Sequence, residues 1–290
     1  AAVGEPYGVE IGPDGALYVV DMYRQVIEHP EYISKETQAK LNLRAGDDKG
    51  RIYRVVPVHG ELRSVPKLNE LSTADLVTQL ESPNGTLRDM THQLLVERAG
   101  NTLVEPLRNL LRTSVSPQTR LHALNILEGH NALTADDLAI ALAHESSGLR
   151  RNAIRLAAAQ TNDSPELGDA MLKSLDDPDA LVRMELVYAL GEWNDPRAAS
   201  AIAQRIEHDK PDSYLGMALL SSLNASNVRA LTPSLLAWAA SDDAASEPRD
   251  QVIPTAVGVA IAANDAETLA VMATDIAKHD QQDYGPAQFI

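Results

Sequence analysis

At 290 residues, with 44% hydrophobic and 23% charged side chains, the chain is long enough for one large domain or two ordinary ones and is not a disordered polymer. A formal net charge of -16 repels nucleic-acid phosphates and anionic lipid headgroups, so no nucleic-acid partner is expected. The absence of cysteine excludes disulfides, thiolate metal sites, a cysteine nucleophile and covalent haem attachment within these residues.

The first segment, residues 7–57, reads as strand. Tyr7 to Ile11 alternates in polarity, Gly12-Pro13-Asp14-Gly15 has the residues of a tight turn, and Ala16 to Asp21 is a second β-rich run, which together make a hairpin. After an excursion from Met22 to Lys49, Gly50 to Val56 gives a third strand, stopped by Pro57. Three strands without a partner layer are few for an independent sheet, so the segment is expected to be part of something larger, with the N-terminus cut.

Residues 58–71 read as a polar linker, and from Ser72 the apolar period changes from two to 3.6. A motif then recurs four times: Ser82-Pro83 with Leu87-Arg88, Ser116-Pro117 with Thr119-Arg120, Ser147-Gly148 with Leu149-Arg150, and Asp177-Pro178 with Val182-Arg183. The arginines step by 32, 30 and 33 residues. Each is expected to lie near the start of a helix capped by the Ser or Asp. The buried stripe is placed three and six residues further on, at Thr91, Ala123, Ala153, Leu186 and at Leu94, Ile126, Leu156, Ala189.

Other helices fall between these, at 102–112, 135–144, 165–175 and 197–206, and further ones follow at 214–223, 229–240, 251–263 and 266–278. Pairs of helices that bury their faces only by stacking predict an α-solenoid over 72–290, with at least five pairs by residue 280. Arg88, Arg120, Arg150 and Arg183 are read as structural, bonding carbonyls or carboxylates between adjacent repeats. The end, Tyr284 to Ile290, offers no polar capping helix, and the C-terminus is also expected to be cut.

The ankyrin and tetratricopeptide signatures are absent, and Asp177-Pro178-Asp179-Ala180-Leu181-Val182-Arg183 running to Ala189-Leu190-Gly191-Glu192-Trp193-Asn194-Asp195-Pro196 resembles the short bacterial HEAT-like repeat. The expected fold is therefore mainly α, a HEAT-like solenoid preceded by a small β segment. The Pro-Asp-Gly turn between a hydrophobic strand and one ending Tyr-Val-Val-Asp resembles the last blade of a β-propeller of the glucose and sorbosone dehydrogenase type.

The excursion is the richest stretch in reactive side chains. Asp21, Tyr23, Arg24, His29 and Arg44 are the candidate residues of a propeller-face loop, offering acid, base and anion-binding groups. The structural alternative is that Arg24, Glu28 and Arg44 form ion pairs docking the loop onto the first repeat helix. Asp47-Asp48 lacks the spacing of a calcium loop, and the histidines lack metal-ligand spacing, so no metal site is expected. No window approaches the roughly 18 apolar residues of a bilayer span.

The run from Val19 to Ile33, followed by Leu43 to Pro57, resembles the propeller end of PVC-type haem-binding, membrane-associated dehydrogenase-like proteins, departing from them at Tyr32-Ile33-Ser34 where the family has Trp-Ile-Pro. The resemblance implies the order propeller, HEAT-like repeats, c-type haem domain, in an exported or periplasmic protein. On it, the solenoid is a scaffold or docking module. Haem c, and a quinone or calcium ion, would belong to the parent protein and none to this chain, which is expected to have no redox turnover of its own. No catalytic residue follows from the resemblance. The alternative reading is a non-enzymatic propeller and HEAT scaffold that binds a partner protein on the solenoid face.

Overall fold

The computed structural model describes residues 6–24, 26–98, 100–209, 213–241 and 247–278. The expectation for Tyr284 to Ile290 lies outside them. The chain divides into two compact units, residues 1–107 and 108–290.

In the first unit, strands β1 (Pro6–Ile11), β2 (Leu17–Asp21) and β3 (Arg51–Val55) form an antiparallel sheet in that order. The hairpin closes where the Gly12 N–H donates to the Ala16 carbonyl at 2.9 Å and the Gly15 N–H to the Gly12 carbonyl at 2.9 Å. Gly15 has φ of +86°, a conformation that strains any residue with a Cβ. Asp14 fastens the turn. Its carboxylate accepts from Ala16 N at 3.0 Å, Tyr18 Oη at 3.2 Å and Arg54 Nε at 2.9 Å. The Ala16 N–H bond holds the Asp14 carboxyl below the usual aspartate range against the opposing effect of burial, and Arg54 and Tyr18 add to it.

The register sets Val9 opposite Val19 and Val19 opposite Tyr53, and likewise Ile11, Leu17 and Val55, so one apolar face runs across all three strands. Helix α1 (Lys35–Gln38) lies in the excursion, followed beyond the sheet by α2 (Thr73–Thr78) and α3 (Gly85–Glu97). The 58–71 segment is tied down at both ends. Arg63 N donates to the Asp14 carbonyl at 3.1 Å, and Arg98 at the end of α3 donates to the carbonyls of Leu71 at 2.8 Å and Leu68 at 3.3 Å. Asn84 does two jobs: its Oδ1 caps α3 through Leu87 N at 2.9 Å, and its Nδ2 donates to the Gly12 carbonyl at 2.9 Å. Thr86 Oγ1 adds a bond to the Ile11 carbonyl.

The division between units falls within α4 (Val104–Thr113). The second unit continues with α5 (Pro117–Gly129), α6 (Ala135–Leu142), α7 (Ser147–Ala158), α8 (Pro165–Leu172), α9 (Ala180–Glu192) and α10 (Pro196–Asp209). It ends with α11 (Ser213–Ser221), α12 (Val228–Ala239), α13 (Glu247–Asp250), α14 (Val252–Ala262) and α15 (Ala266–Ile276). Helices stack on their second neighbours, α5 on α7, α7 on α9 and α9 on α11 in one series, α6 on α8 and α10 on α12 in the other. The chain is mainly helical, as its pattern requires: a repeat solenoid with a small three-stranded sheet ahead of it.

The helix starts differ in detail from the sequence reading. The N-caps are Asn84, Ser116, Ser146 and Asp179, so only Ser116 was placed correctly, with Pro117 at the first helical position. Each repeated arginine sits four residues beyond its cap. The fully buried stripe lies one before, three after and seven after the arginine. It comprises Leu87, Thr119, Leu149 and Val182, then Thr91, Ala123, Ala153 and Leu186, then Leu95, Leu127, Ala157 and Leu190. Of the positions six beyond, Ile126 and Ala189 are buried, while Leu94 and Leu156 are half-buried at the edge of the stripe.

Candidate functional site

The excursion is rooted at the end of β2. Asp21 is buried, and its carboxylate accepts from Tyr23 N at 2.8 Å and from Arg51 Nε at 3.1 Å. The Arg51 guanidinium lies 4.1 Å above the Tyr23 ring and 5.3 Å from that of Tyr53, a cation held between two aromatic faces. Tyr23 is itself in the left-handed region, φ +50°, which a bulky side chain adopts only when its surroundings fix it. Its carbonyl is seated against Gly46, φ +84°, where a Cβ would come within 1.8 Å of the oxygen. Glycine is required there by both the angle and the space.

The remaining candidates hold the loop to itself. Arg24 Nη2 donates to the Leu43 carbonyl at 2.7 Å, and Arg44 Nε donates to Asp47 Oδ2 at 2.8 Å. The Arg44 bond keeps the Asp47 carboxyl below the usual range, reinforced by the charges of Arg44 and Arg24. The partners of Arg24 and Arg44 lie inside the loop, not on a repeat helix as docking would require, and Glu28 is exposed. His29 is exposed. Its Nδ1 accepts from Glu31 N at 3.4 Å, capping the short 3₁₀ turn Pro30–Tyr32, and its ring meets the edge of Tyr32 with centroids 6.3 Å apart. Gln38 of α1 braces this turn through the carbonyls of Pro30 at 2.6 Å and Ile33 at 2.7 Å.

The structure thus brings Asp21 and Tyr23 together around Arg51, pairs Arg44 with Asp47, ties Arg24 to the Leu43 carbonyl, and places His29 on the Pro30–Tyr32 turn. With both oxygens of Asp21 engaged by Tyr23 and Arg51, its chemistry is that of a structural anion. Among the described residues no three His, Asp or Glu side chains converge as metal ligands. Arg51 and Arg54, the cationic ends of the two sheet ion pairs, were missed from sequence. The signal was present, since an antiparallel third strand ending before Pro57 sets Arg51 beside Asp21.

The repeated arginines share one geometry. Each donates to the carbonyl six residues before it: Arg88 to Ser82 at 2.7 Å, Arg120 to Ser114 at 2.6 Å, Arg150 to His144 at 2.8 Å and Arg183 to Asp177 at 2.7 Å. The guanidinium staples the turn that enters its own helix, a charge-assisted bond to a carbonyl outside the helical ladder. Arg150 also reaches the next repeat, with Nε to Asp177 Oδ2 at 2.7 Å and Nη2 to Asp177 Oδ1 at 2.8 Å. Burial opposes ionisation of Asp177, but the bonds from Arg150 and Asp179 N outweigh it and leave the carboxyl below its ordinary range.

The joints between repeats are made largely by arginines outside the motif. Arg108 bonds Asp137, 29 residues on, at 3.1 Å, and Arg205 bonds Asp176, 29 residues back, at 2.9 Å. Arg197 joins Asp169 and Asp195, and Arg229 joins Asp265 and Glu267. Arg197 lowers Asp195 to about 2, chiefly through its side-chain bond and then its N–H. Apart from Arg197 with Asp195, two residues away, these separations of 28 to 38 residues are near one repeat length, a regularity that only a paired list of acids and bases would have exposed.

One match to a known family agrees with the helical part of this architecture. Residues 135–224 match the HEAT repeats family, and residues 3–59 match a domain of unknown function, DUF7133. No curated protein matches the chain at a significant level. Among solved structures, a designed armadillo repeat protein is 18% identical and is covered over 96% of its own length and 75% of this chain, with a TM-score of 0.34. The helical part of the chain is a repeat solenoid, and within it residues 135–224 are similar to HEAT repeats.

Proposed function

We propose that this chain is a protein-binding scaffold whose repeat solenoid holds a partner protein or a neighbouring domain. The observation that carries the reading is the stack itself. Successive helix pairs are fixed to one another by buried stripes and by ion pairs one repeat apart, leaving an extended outer surface that a compact domain of the same length would bury. The finer form of the proposal follows the family resemblance: the sheet is the last blade of a propeller in an exported dehydrogenase-like protein, and the solenoid spaces that propeller from a haem-c domain. The apolar sheet face supports it, because Val9, Ile11, Leu17, Tyr53 and Val55 remain 37 to 58% exposed, as expected of a blade that packs against another sheet.

The cofactors of such a parent do not fit this chain's residues. There is no cysteine to hold haem c, and Asp47 and Asp48, the adjacent acidic pair, are engaged by Arg44 and Lys49. Dye-linked dehydrogenase activity over a panel of sugars and alcohols is the test. The 290-residue chain is expected to show none, and turnover by it would overturn the scaffold reading.

A further inference from the structure

Helices α7, α9 and α11 run parallel as neighbours. Arg150 near the start of α7 pairs with Asp177 just before α9. Beyond the end of α7, Asn162 donates to the Glu192 carbonyl at 3.1 Å and accepts from Asn194 N at 2.9 Å. One step on, Ser222 Oγ donates to the Val187 carbonyl at 2.9 Å and Asn224 Nδ2 to that of Gly191 at 2.6 Å, tying the ends of α9 and α11. With the helices in this register, the side chains opposite their buried stripes share one surface. Arg155 and Tyr188 are equivalent, each nine residues beyond its helix cap.

That surface changes character along the stack. On α9 and α11, which pack against each other, Leu181, Tyr188, Tyr214 and Met217 are 41 to 76% exposed. Single exposed apolar residues are ordinary, but four on two neighbouring helices form a patch of the kind that marks an interaction site. Tyrosine and methionine are the side chains that anchor such contacts, one through its large rigid ring and the other through its pliancy. Beside the patch, on α7, Arg151 and Arg155 have no carboxylate partner among the described residues, and Arg155 donates to Asn152 Oδ1 at 3.2 Å. This contrasts, in a chain of net charge -16, with Arg150, Arg197, Arg205 and Arg229, which are paired with acids.

We propose that this track is the docking surface for a segment of a partner protein that sets acidic side chains against Arg151 and Arg155 and aromatic or aliphatic ones over Leu181, Tyr188, Tyr214 and Met217. It rests on the scaffold reading and supplies the partner's chemistry. Charge complementarity selects the acidic end, and the exposed patch selects the apolar one.

The test is selection of a randomised linear peptide library on the intact 290-residue chain. Selected peptides are expected to join acidic to aromatic or aliphatic residues. They should lose about tenfold or more in affinity for the variant Arg151→Glu with Arg155→Glu, and as much for Tyr188→Ala with Tyr214→Ala. Repeating the selection on the charge-reversed chain should replace the acidic residues by basic ones. Both variants should keep the wild-type circular-dichroism spectrum and Tm, because these side chains are not in the core. Selected peptides whose affinity ignores both variants would overturn the track while leaving the scaffold reading intact, and a chain that selects no peptide would overturn both. A wild-type dimer in light scattering that Tyr214→Ala with Met217→Ala dissociates would overturn the partner segment in favour of a second copy.

Discussion

In the repeats, the apolar stripe of every motif helix is buried to the last methyl, as at Ala123, Ala153, Leu186 and Leu190. In the sheet, the apolar face made by Val9, Ile11, Leu17, Tyr53 and Val55 stays open. Both regions carry an apolar face, with period two in the strands and 3.6 in the helices, and they differ in access to a partner. A repeat helix finds its cover in the helix one repeat away, which the chain itself supplies. Among the described residues the three-stranded sheet has no second sheet over its apolar face, and what holds it is polar: the Asp14–Arg54 and Asp21–Arg51 pairs and the bonds from Asn84 and Thr86. Repetition closes a core locally, and an isolated β layer waits for a neighbour.

That contrast can be tested by unequal mutations. The largest effect is expected at Trp193, a buried ring that covers Gly168 so closely that a Cβ there would lie 2.2 Å from its Cζ2. Trp193→Ala should cost about 3–5 kcal/mol in denaturant unfolding, and a cost near zero would mean that the repeat core is not closed at this point. Arg150→Ala comes next, at about 2–4 kcal/mol, because it strands the buried Asp177 carboxylate.

The same pair sets a pH dependence. Asp177 has a lowered pKa in the folded state, so the unfolded chain holds that proton more tightly. The contribution is complete above about pH 4 and is lost as pH falls through the lowered native value. Arg150→Ala should therefore flatten the acid side of the stability profile, and an unchanged acid slope would contradict the pairing. Arg183→Ala, which removes the staple to the Asp177 carbonyl, should cost about 1–3 kcal/mol by thermal or denaturant unfolding, with no change in any binding activity. The smallest effect is expected in the sheet: Val55→Ala, on the open face, should change stability by no more than about 0.5 kcal/mol, and a core-sized loss would show that the face is covered.

How far the sequence could be read follows the same division. The arginine step of 30 to 33 residues exposed the repeats, because each helix sees the same neighbours and must repeat the same residues. The caps were less legible, since Ser82, Ser147 and Asp177 are as suited to capping as Asn84, Ser146 and Asp179, and the choice depends on where the entering turn ends. The role of the motif arginines was half legible: their partners are carbonyls, but those of their own entering turn, which no side-chain pattern records. In the excursion, side-chain types alone put Asp21 and His29 in one candidate site, whereas the register of β3 assigns Asp21 to Arg51 and leaves His29 capping a separate turn. The proposed track over α7, α9 and α11 was invisible for a simpler reason, because Arg155, Tyr188 and Met217 are far apart in sequence and their helices become neighbours only through stacking.

Amide hydrogen exchange of the 290-residue chain, read by mass spectrometry, tests the contrast between closed repeats and open sheet most directly. Amides in α5, α7 and α9 are expected to open only with global unfolding, while those of β1 to β3 exchange about 100-fold faster or more, through local opening of a layer covered on one side at most. Strand amides protected as strongly as those of α7 and α9 would contradict the account.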